Sequence, residues 1–475
     1  MLNLKLNYGY IIFITFSLPV LSFAFNPGLA SHAITILITY FCSVLISIKR
    51  HEYAIPSFIL FLLISPLWFN YMNLSFIVVN MVPLSYLILY FRGSLRLKIR
   101  KNTQILIALL LMICFISLVM SPAFASLLSG WMNFLVMISM IIIAADYLEK
   151  NKQFEIIENS IVYAGILISV LIILAFFNEI NLSDFLKVGS GKLSASNLEV
   201  FFPKGSFFYN NVFYVIGISL LIVFSKIITE NNKLMWLIVF LVILFGFQLF
   251  FNKTAIVAII ISLLYCLFVS RSEVTKTTAI ILCIIASLIF IGFVVILSLD
   301  ERIWYLVHAG SLQARFTLID SIITAFNYNP IALFLGYGPE SLLRVDHTED
   351  YFIELVKTSA NGVEGTVDSG IVSYLIEFGV FFLVIYLIIF IISIYTGLKK
   401  YIITHTVGNY KSVPYYGGAC FLYVLLCSWT QMLSTSKISW IVVLMLSCIC
   451  LCFAKAKRER NGIDNMLKKL QSSSS

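Results

Sequence analysis

Between Leu299 and Gly379 the chain gathers the side chains that can do chemistry. Arg315, Arg344 and Lys357 are cations, Asp346, Glu349, Asp350, Glu354, Glu364 and Asp368 are carboxylates, and His347 is an imidazole. Guanidinium and ammonium groups hold oxyanions, and a carboxylate or imidazole within hydrogen-bond reach takes the proton of an attacking hydroxyl. Lys253, between two apolar runs in Phe247 to Ala258, either snorkels to headgroups or holds a phosphate at an interface. Asp346, His347, Glu349 and Asp350 invite comparison with a divalent-cation site, but all four sit on one loop, and a solvated loop is the simpler account.

The elements that must position these groups are readable around them. Ser311 suits a helix N-cap, and Phe316, Ile319, Ile322, Ile323 and Phe326 recur at helical spacing, so an amphipathic helix carrying Arg315 and Asp320 is expected. Asn329-Pro330 ends it. Gly336-Tyr337-Gly338-Pro339 is a tight turn, because glycine permits backbone angles that other residues avoid. Asp368-Ser369 leads the next apolar run as an N-cap. Glu377 lies inside that run, where an unpaired charge costs about 2.5–3.5 kcal/mol, so it must pair or line a cavity; an inward-facing arginine is the simplest structural partner.

The remainder of the chain is apolar. Hydrophobic residues make up 60% of 475, charged residues 12%, and there are 41 phenylalanines, which excludes an ordinary soluble domain and implies a polytopic membrane protein. A span needs about 20 mostly apolar residues, since no backbone polar group can stay unpaired in hydrocarbon. That criterion gives an all-α bundle of about 14 spans, near 8–25, 29–48, 54–70, 73–91, 103–120, 125–146, 159–178, 207–226, 234–251, 254–270, 277–298, 369–396, 414–433 and 437–454. The organisation is then helices over 1–298, a large extracytoplasmic loop with short helices over 299–368, three further helices over 369–454, and a solvated tail over 455–475.

Lys and Arg placement sets the orientation. With the N-terminus inside, only Lys187, Lys192, Lys204, Lys253, Arg302, Arg315, Arg344, Lys357 and Lys437 of the 32 basic residues fall outside. Both termini are therefore expected in the cytoplasm. The net charge of +9 follows from this asymmetry and points to anionic lipid headgroups; without aromatic interleaving it does not describe a nucleic-acid groove.

All nine cysteines fall within proposed spans, so neither a disulfide nor a zinc site is expected, and the Cys448/Cys450/Cys452 alternation points three ways on a helix. Lys5 with the following apolar run resembles a signal peptide, but a retained first helix keeps the alternation intact. Asn178 to Ser206 is a second outer segment, either a connector or a rim over the site. The first half, to Phe177, reads as scaffold.

Arg315 to Gly338 as an outer R-x(n)-P-x(n)-GYG segment, then a loop, then Asp368-Ser369 leading a helix with Glu377-Phe378-Gly379, resembles the O-antigen polymerase and ligase superfamily. The stretch from Phe251 to Ile260, with Asn252-Lys253-Thr254, is similar to that family's [SN]-[RK]-[ST] helix start. The likeness covers roughly the second half of the chain. It implies a GT-C-type glycosyltransferase in the bacterial inner membrane, acting at the outer face on oligosaccharides carried by undecaprenyl pyrophosphate. No cofactor or metal is implied, and a chain-length regulator is a partner it leaves open.

Under that resemblance Arg315 holds the pyrophosphate bidentately, with headgroup snorkelling as its plainer role, and Lys253 is a second phosphate cation. Arg344 and Tyr337 contact pyrophosphate or glycan; a loop ion pair is the alternative for Arg344. Asp368 is the acceptor base, unless it is only the N-cap, and His347 is the rival base. The ligase branch has a His-Asn pair where this chain has Asp368-Ser369, which favours the polymerase branch. Two other readings stay open: a ligase passing the glycan to another lipid acceptor, and a lipid-linked oligosaccharide flippase. A flippase should show charges within several spans and a two-half repeat, and no repeat is visible.

Overall fold

The computed structural model describes residues 8–25, 29–61, 88, 112, 144, 154–178, 209–250, 253–270, 330–336, 370–399, 402, 412–429 and 437–473. Among these residues the structure is helical, without strands. The helices are α1 (Tyr8–Phe25), α2 (Leu29–Lys49), α3 (Phe154–Asn178), α4 (Tyr209–Thr229), α5 (Lys233–Phe250), α6 (Lys253–Ser270), α7 (Pro330–Leu335), α8 (Gly370–Gly397), α9 (Val413–Ser428) and α10 (Lys437–Ser473). Apart from α7, within the expected loop, and α10, which continues past the expected 454 to Ser473, their bounds lie within a few residues of the expected spans, and α5 and α6, which the sequence nearly fuses around Phe251-Asn252, are separate helices.

Among the described residues one segment, Tyr374–Gly397, is long and apolar enough to cross a membrane; Ile34–Lys49, Phe213–Thr229, Lys233–Gln248, Thr254–Ser270 and Val413–Ser428 are shorter apolar helices.

α4 sits at the centre, packed by α3, α5, α6, α9 and α10. It is apolar nearly all round and buried from Phe213 through Val223, as a core helix should be. Small residues let its neighbours approach. Ser219 Oγ donates to the Ile161 carbonyl at 2.8 Å, and Gly165 faces Ser219 while Gly246 faces Ser169. Tyr423 of α9 donates to the Phe213 carbonyl at 2.6 Å and fills the space over Gly217.

The outer helices are two-faced. On α2, Ile34, Leu37, Ile38, Phe41, Leu45 and Ile48 form an exposed apolar stripe, and Phe381, Val384, Ile385, Ile388, Ile391 and Ile392 do the same on α8.

Side-chain ties fix which helix ends meet. The start of α3 meets the end of α4 and the start of α9; Tyr265 near the end of α6 donates to the Ile394 carbonyl near the end of α8 at 2.6 Å. Tyr8 at the start of α1 stacks 6.0 Å from Tyr53, beyond the end of α2. The starts of α1, α3, α5 and α9 therefore lie with the ends of α2, α4, α6 and α8, and Lys49, Arg50, Lys226, Lys233 and Lys399 collect at that end. Lys253, where α6 begins, lies at the other.

Tyr265 also rests in a notch made by Gly397 and Gly418. A Cβ on Gly418 would sit 2.0 Å from the phenol oxygen, so Gly418→Ala must push Tyr265 off the Ile394 carbonyl. We expect a loss of about 1–3 kcal/mol from overpacking. In thermal unfolding of the purified protein, adding Tyr265→Phe should restore part of it, and strictly additive single and double variants would refute the notch.

Candidate functional site

The opposite end carries an interlock between two segments far apart in sequence. α7 is a single turn opened by Pro330, whose fixed φ suits a first helical position. It stops at Gly336, at φ 77°, whose N–H donates to the Ala332 carbonyl at 2.8 Å in an αL helix cap. α8 is broken within its apolar run at Gly379, at φ 76° and ψ 178°.

The two glycines fit into each other's backbones. A Cβ on Gly336 would lie 2.3 Å from the Glu377 carbonyl oxygen and 2.5 Å from the Phe378 nitrogen; one on Gly379 would lie 2.3 Å from the Phe334 carbonyl oxygen. Phe334 stacks on Phe381 at 5.4 Å, and Tyr374, Phe378, Phe382 and Tyr386 form an aromatic pile along α8 across the break. Glu377, 1% exposed, is enclosed at this junction.

An interruption of the i to i−4 ladder leaves backbone amides and carbonyls to be satisfied elsewhere. In an apolar surrounding that is tolerated only where the backbone is covered by protein or lines a polar cavity. α7 supplies such cover.

Lys253 is the first residue of α6. Measured from the Tyr265–Ile394 tie, it stands about 18 Å toward its end, and Gly379 about 22 Å, at 1.5 Å per residue. The lysine backbone and the interlock are thus at comparable depth. Arg315, Tyr337, Arg344, His347 and Asp368 lie outside the described residues, as does the Asp346 to Asp350 cluster. Asp368-Ser369 would lead directly into Gly370, where α8 begins.

Sequence reasoning singled out the Gly336 turn and Glu377-Phe378-Gly379 separately but not their contact. No periodicity links a turn to a distant helix. The unusual signal was a glycine following a charged residue within an apolar run.

A second polar cluster, at the opposite end, was missed altogether. Glu158, 1% exposed, accepts from Ser412 Oγ at 3.0 and 3.2 Å and from the Tyr416 hydroxyl. Beside it Lys226, also 1% exposed, donates to Asn159 Oδ1 at 2.9 Å, pairs with Glu230 at 3.3 Å and lies 4.7 Å over the Trp236 ring. Trp236 Nε1 closes the set by donating to Glu230 at 2.6 Å. These bonds join α3, α4, α5 and α9.

At the same end Arg50 lies 5.7 Å over the Tyr8 ring and 4.0 Å from Glu52. Partial burial, then the Glu52 carboxylate, push the Tyr53 phenol above its usual range, so it stays neutral at physiological pH. The seven described cysteines are free thiols; Cys448 and Cys452 are buried, and Cys450 lies 3.6 Å from Ser393 Oγ.

No family model matches the chain, and no curated protein matches it.

Proposed function

We propose that this chain is a multi-pass inner-membrane glycosyltransferase of the polymerase type. It transfers a growing glycan from undecaprenyl pyrophosphate onto the next lipid-linked repeat unit at the outer face. The observation that carries the reading is the interlock of Gly336 with Glu377-Phe378-Gly379. These belong to the two motif segments on which the superfamily resemblance rests, and their contact supports one composite site.

The membrane part of the reading is supported by the exposed stripes on α2 and α8, which would be costly in water at about 25 cal/mol per Å². It is supported also by the basic residues at one bundle end, which match cytoplasmic enrichment in Lys and Arg.

In the reaction proposed, the acceptor sugar hydroxyl attacks the anomeric carbon of the donor glycan as the bond to the pyrophosphate oxygen breaks. Asp368, or His347 in its place, takes the hydroxyl proton, and the pyrophosphate leaves with the electron pair. Arg315 and Lys253 receive its charge, with Arg344 and Tyr337 on the pyrophosphate or glycan. A break in a membrane helix beside such groups offers oriented backbone dipoles to a polar ligand.

The Glu158 and Lys226 groups sit where helices begin and end at what this reading makes the cytoplasmic side, Lys226 donating to Asn159 and Glu158 accepting from Ser412 and Tyr416, as structural ties do. They do not favour the flippase reading. Deletion of the gene separates polymerase from ligase. Surface glycan reduced to a single repeat unit on its lipid core is the expected result, whereas loss of all repeat units would assign the ligase reaction instead.

A further inference from the structure

The sequence presents 455–475 as a solvated tail, yet α10 continues unbroken to Ser473. Past the apolar part, Ile463, Met466, Leu467 and Leu470 are 48%, 69%, 53% and 64% exposed. Their spacing of i, i+3, i+4 and i+7 places all four on one helix face. Around them the tail has six cations, Lys455, Lys457, Arg458, Arg460, Lys468 and Lys469, against Glu459 and Asp464. Arg460 pairs with Asp464 at 3.7 Å.

An apolar stripe with a basic opposite face has two ordinary occupants, a bilayer surface and a partner helix. A second copy of the tail is disfavoured, because like charges would be brought together and one heptad of apolar residues is too short for a coiled coil. Charge complementarity selects an anionic bilayer.

A straight helix cannot reach it. Ile463 stands about 14 Å and Leu470 about 24 Å beyond Ala454 at 1.5 Å per residue, whereas each headgroup layer is only about 5–7 Å thick. The arm must bend, and the residues that permit a bend sit just before the stripe. Gly462 has no atom within 4 Å of where a Cβ would stand, and it follows Asn461; such a pair weakens an exposed helix by well over about 1 kcal/mol.

We infer that residues 463–473 turn at Asn461-Gly462 and lie on the anionic inner leaflet. Ile463, Met466, Leu467 and Leu470 enter the headgroup boundary, and Lys468 and Lys469, on the far face and flank, are drawn to the anionic surface through space. This rests on the cytoplasmic placement of the tail under the proposed function. That placement is tested separately: trypsin should cut the tail in inside-out but not in right-side-out vesicles.

The docking itself is tested on the full chain in nanodiscs of phosphatidylcholine with or without phosphatidylglycerol. Trypsin cleavage after Lys468 and Lys469 should slow about tenfold or more in the anionic discs, since each basic residue near such a surface contributes about 1 kcal/mol. High salt should remove the protection, and so should Leu467→Glu with Leu470→Glu, at solvent-exposed positions that leave the bundle intact. Equal cleavage in both discs would overturn the proposal. So would protection independent of lipid charge, which would assign the stripe to a protein partner.

Discussion

Replacing Glu158 with alanine should destabilise the bundle by about 2–4 kcal/mol, because it strands buried hydroxyl donors and leaves a cavity. Tyr416 and Ser412 would lose their acceptor, and an unsatisfied buried hydroxyl costs about 1–3 kcal/mol. Nothing replaces the carboxylate, because α3, α4 and α9 close tightly over it. Glu158→Gln keeps the volume and one acceptor oxygen and should lose much less. Thermal unfolding of the purified protein reads both. Tyr416→Phe combined with Glu158→Ala should cost far less than the sum of the two singles, because both break the same bond. A Glu158→Ala protein with unchanged melting would mean that the carboxylate is not a tie. Under the proposed function this cluster is at the cytoplasmic end, so the surviving folded protein should still make long glycan.

Why the sequence announces some of this and not the rest follows from the range of each signal. Apolar runs are local signals, so α1, which spans the expected 8–25, was legible. Glu158 was not, since Phe154-Glu155-Ile156-Ile157-Glu158 reads as the polar approach to a span, while α3 begins at Phe154 and carries Glu158 into the bundle. Its partners Ser412 and Tyr416 come from the far end of the chain. That the exposed tail is helical was not legible, for a different reason. Its charge density marks solvent exposure, but that property does not distinguish coil from a helix whose apolar residues recur only over one heptad. For the candidate site, residue types and glycine punctuation were legible and the packing between them was not.

Gly379→Ala should be the most damaging change at the interlock end of the bundle. The pairing of φ 76° with ψ 178° belongs to a region that is essentially glycine-only, at about 1–3 kcal/mol of strain for another residue. The added methyl would meet the Phe334 carbonyl at 2.3 Å, and backbone cannot swing aside as a side chain can, so about 1–3 kcal/mol of overpacking is added. Gly336→Ala meets the mirror obstruction at the Glu377 carbonyl and should behave alike. Either change should lower the melting temperature and, by prising α7 from α8, reduce long-chain glycan. Arg315→Ala provides the contrast. Loss of one charge that stabilises a leaving group typically costs about 10²–10³ in rate. Long-chain glycan should therefore disappear at unchanged melting temperature and expression. Wild-type glycan from Arg315→Ala would remove that cation from the site. Normal glycan and melting from Gly379→Ala would remove the interlock, leaving α7 as a surface turn with no part in positioning the chemistry.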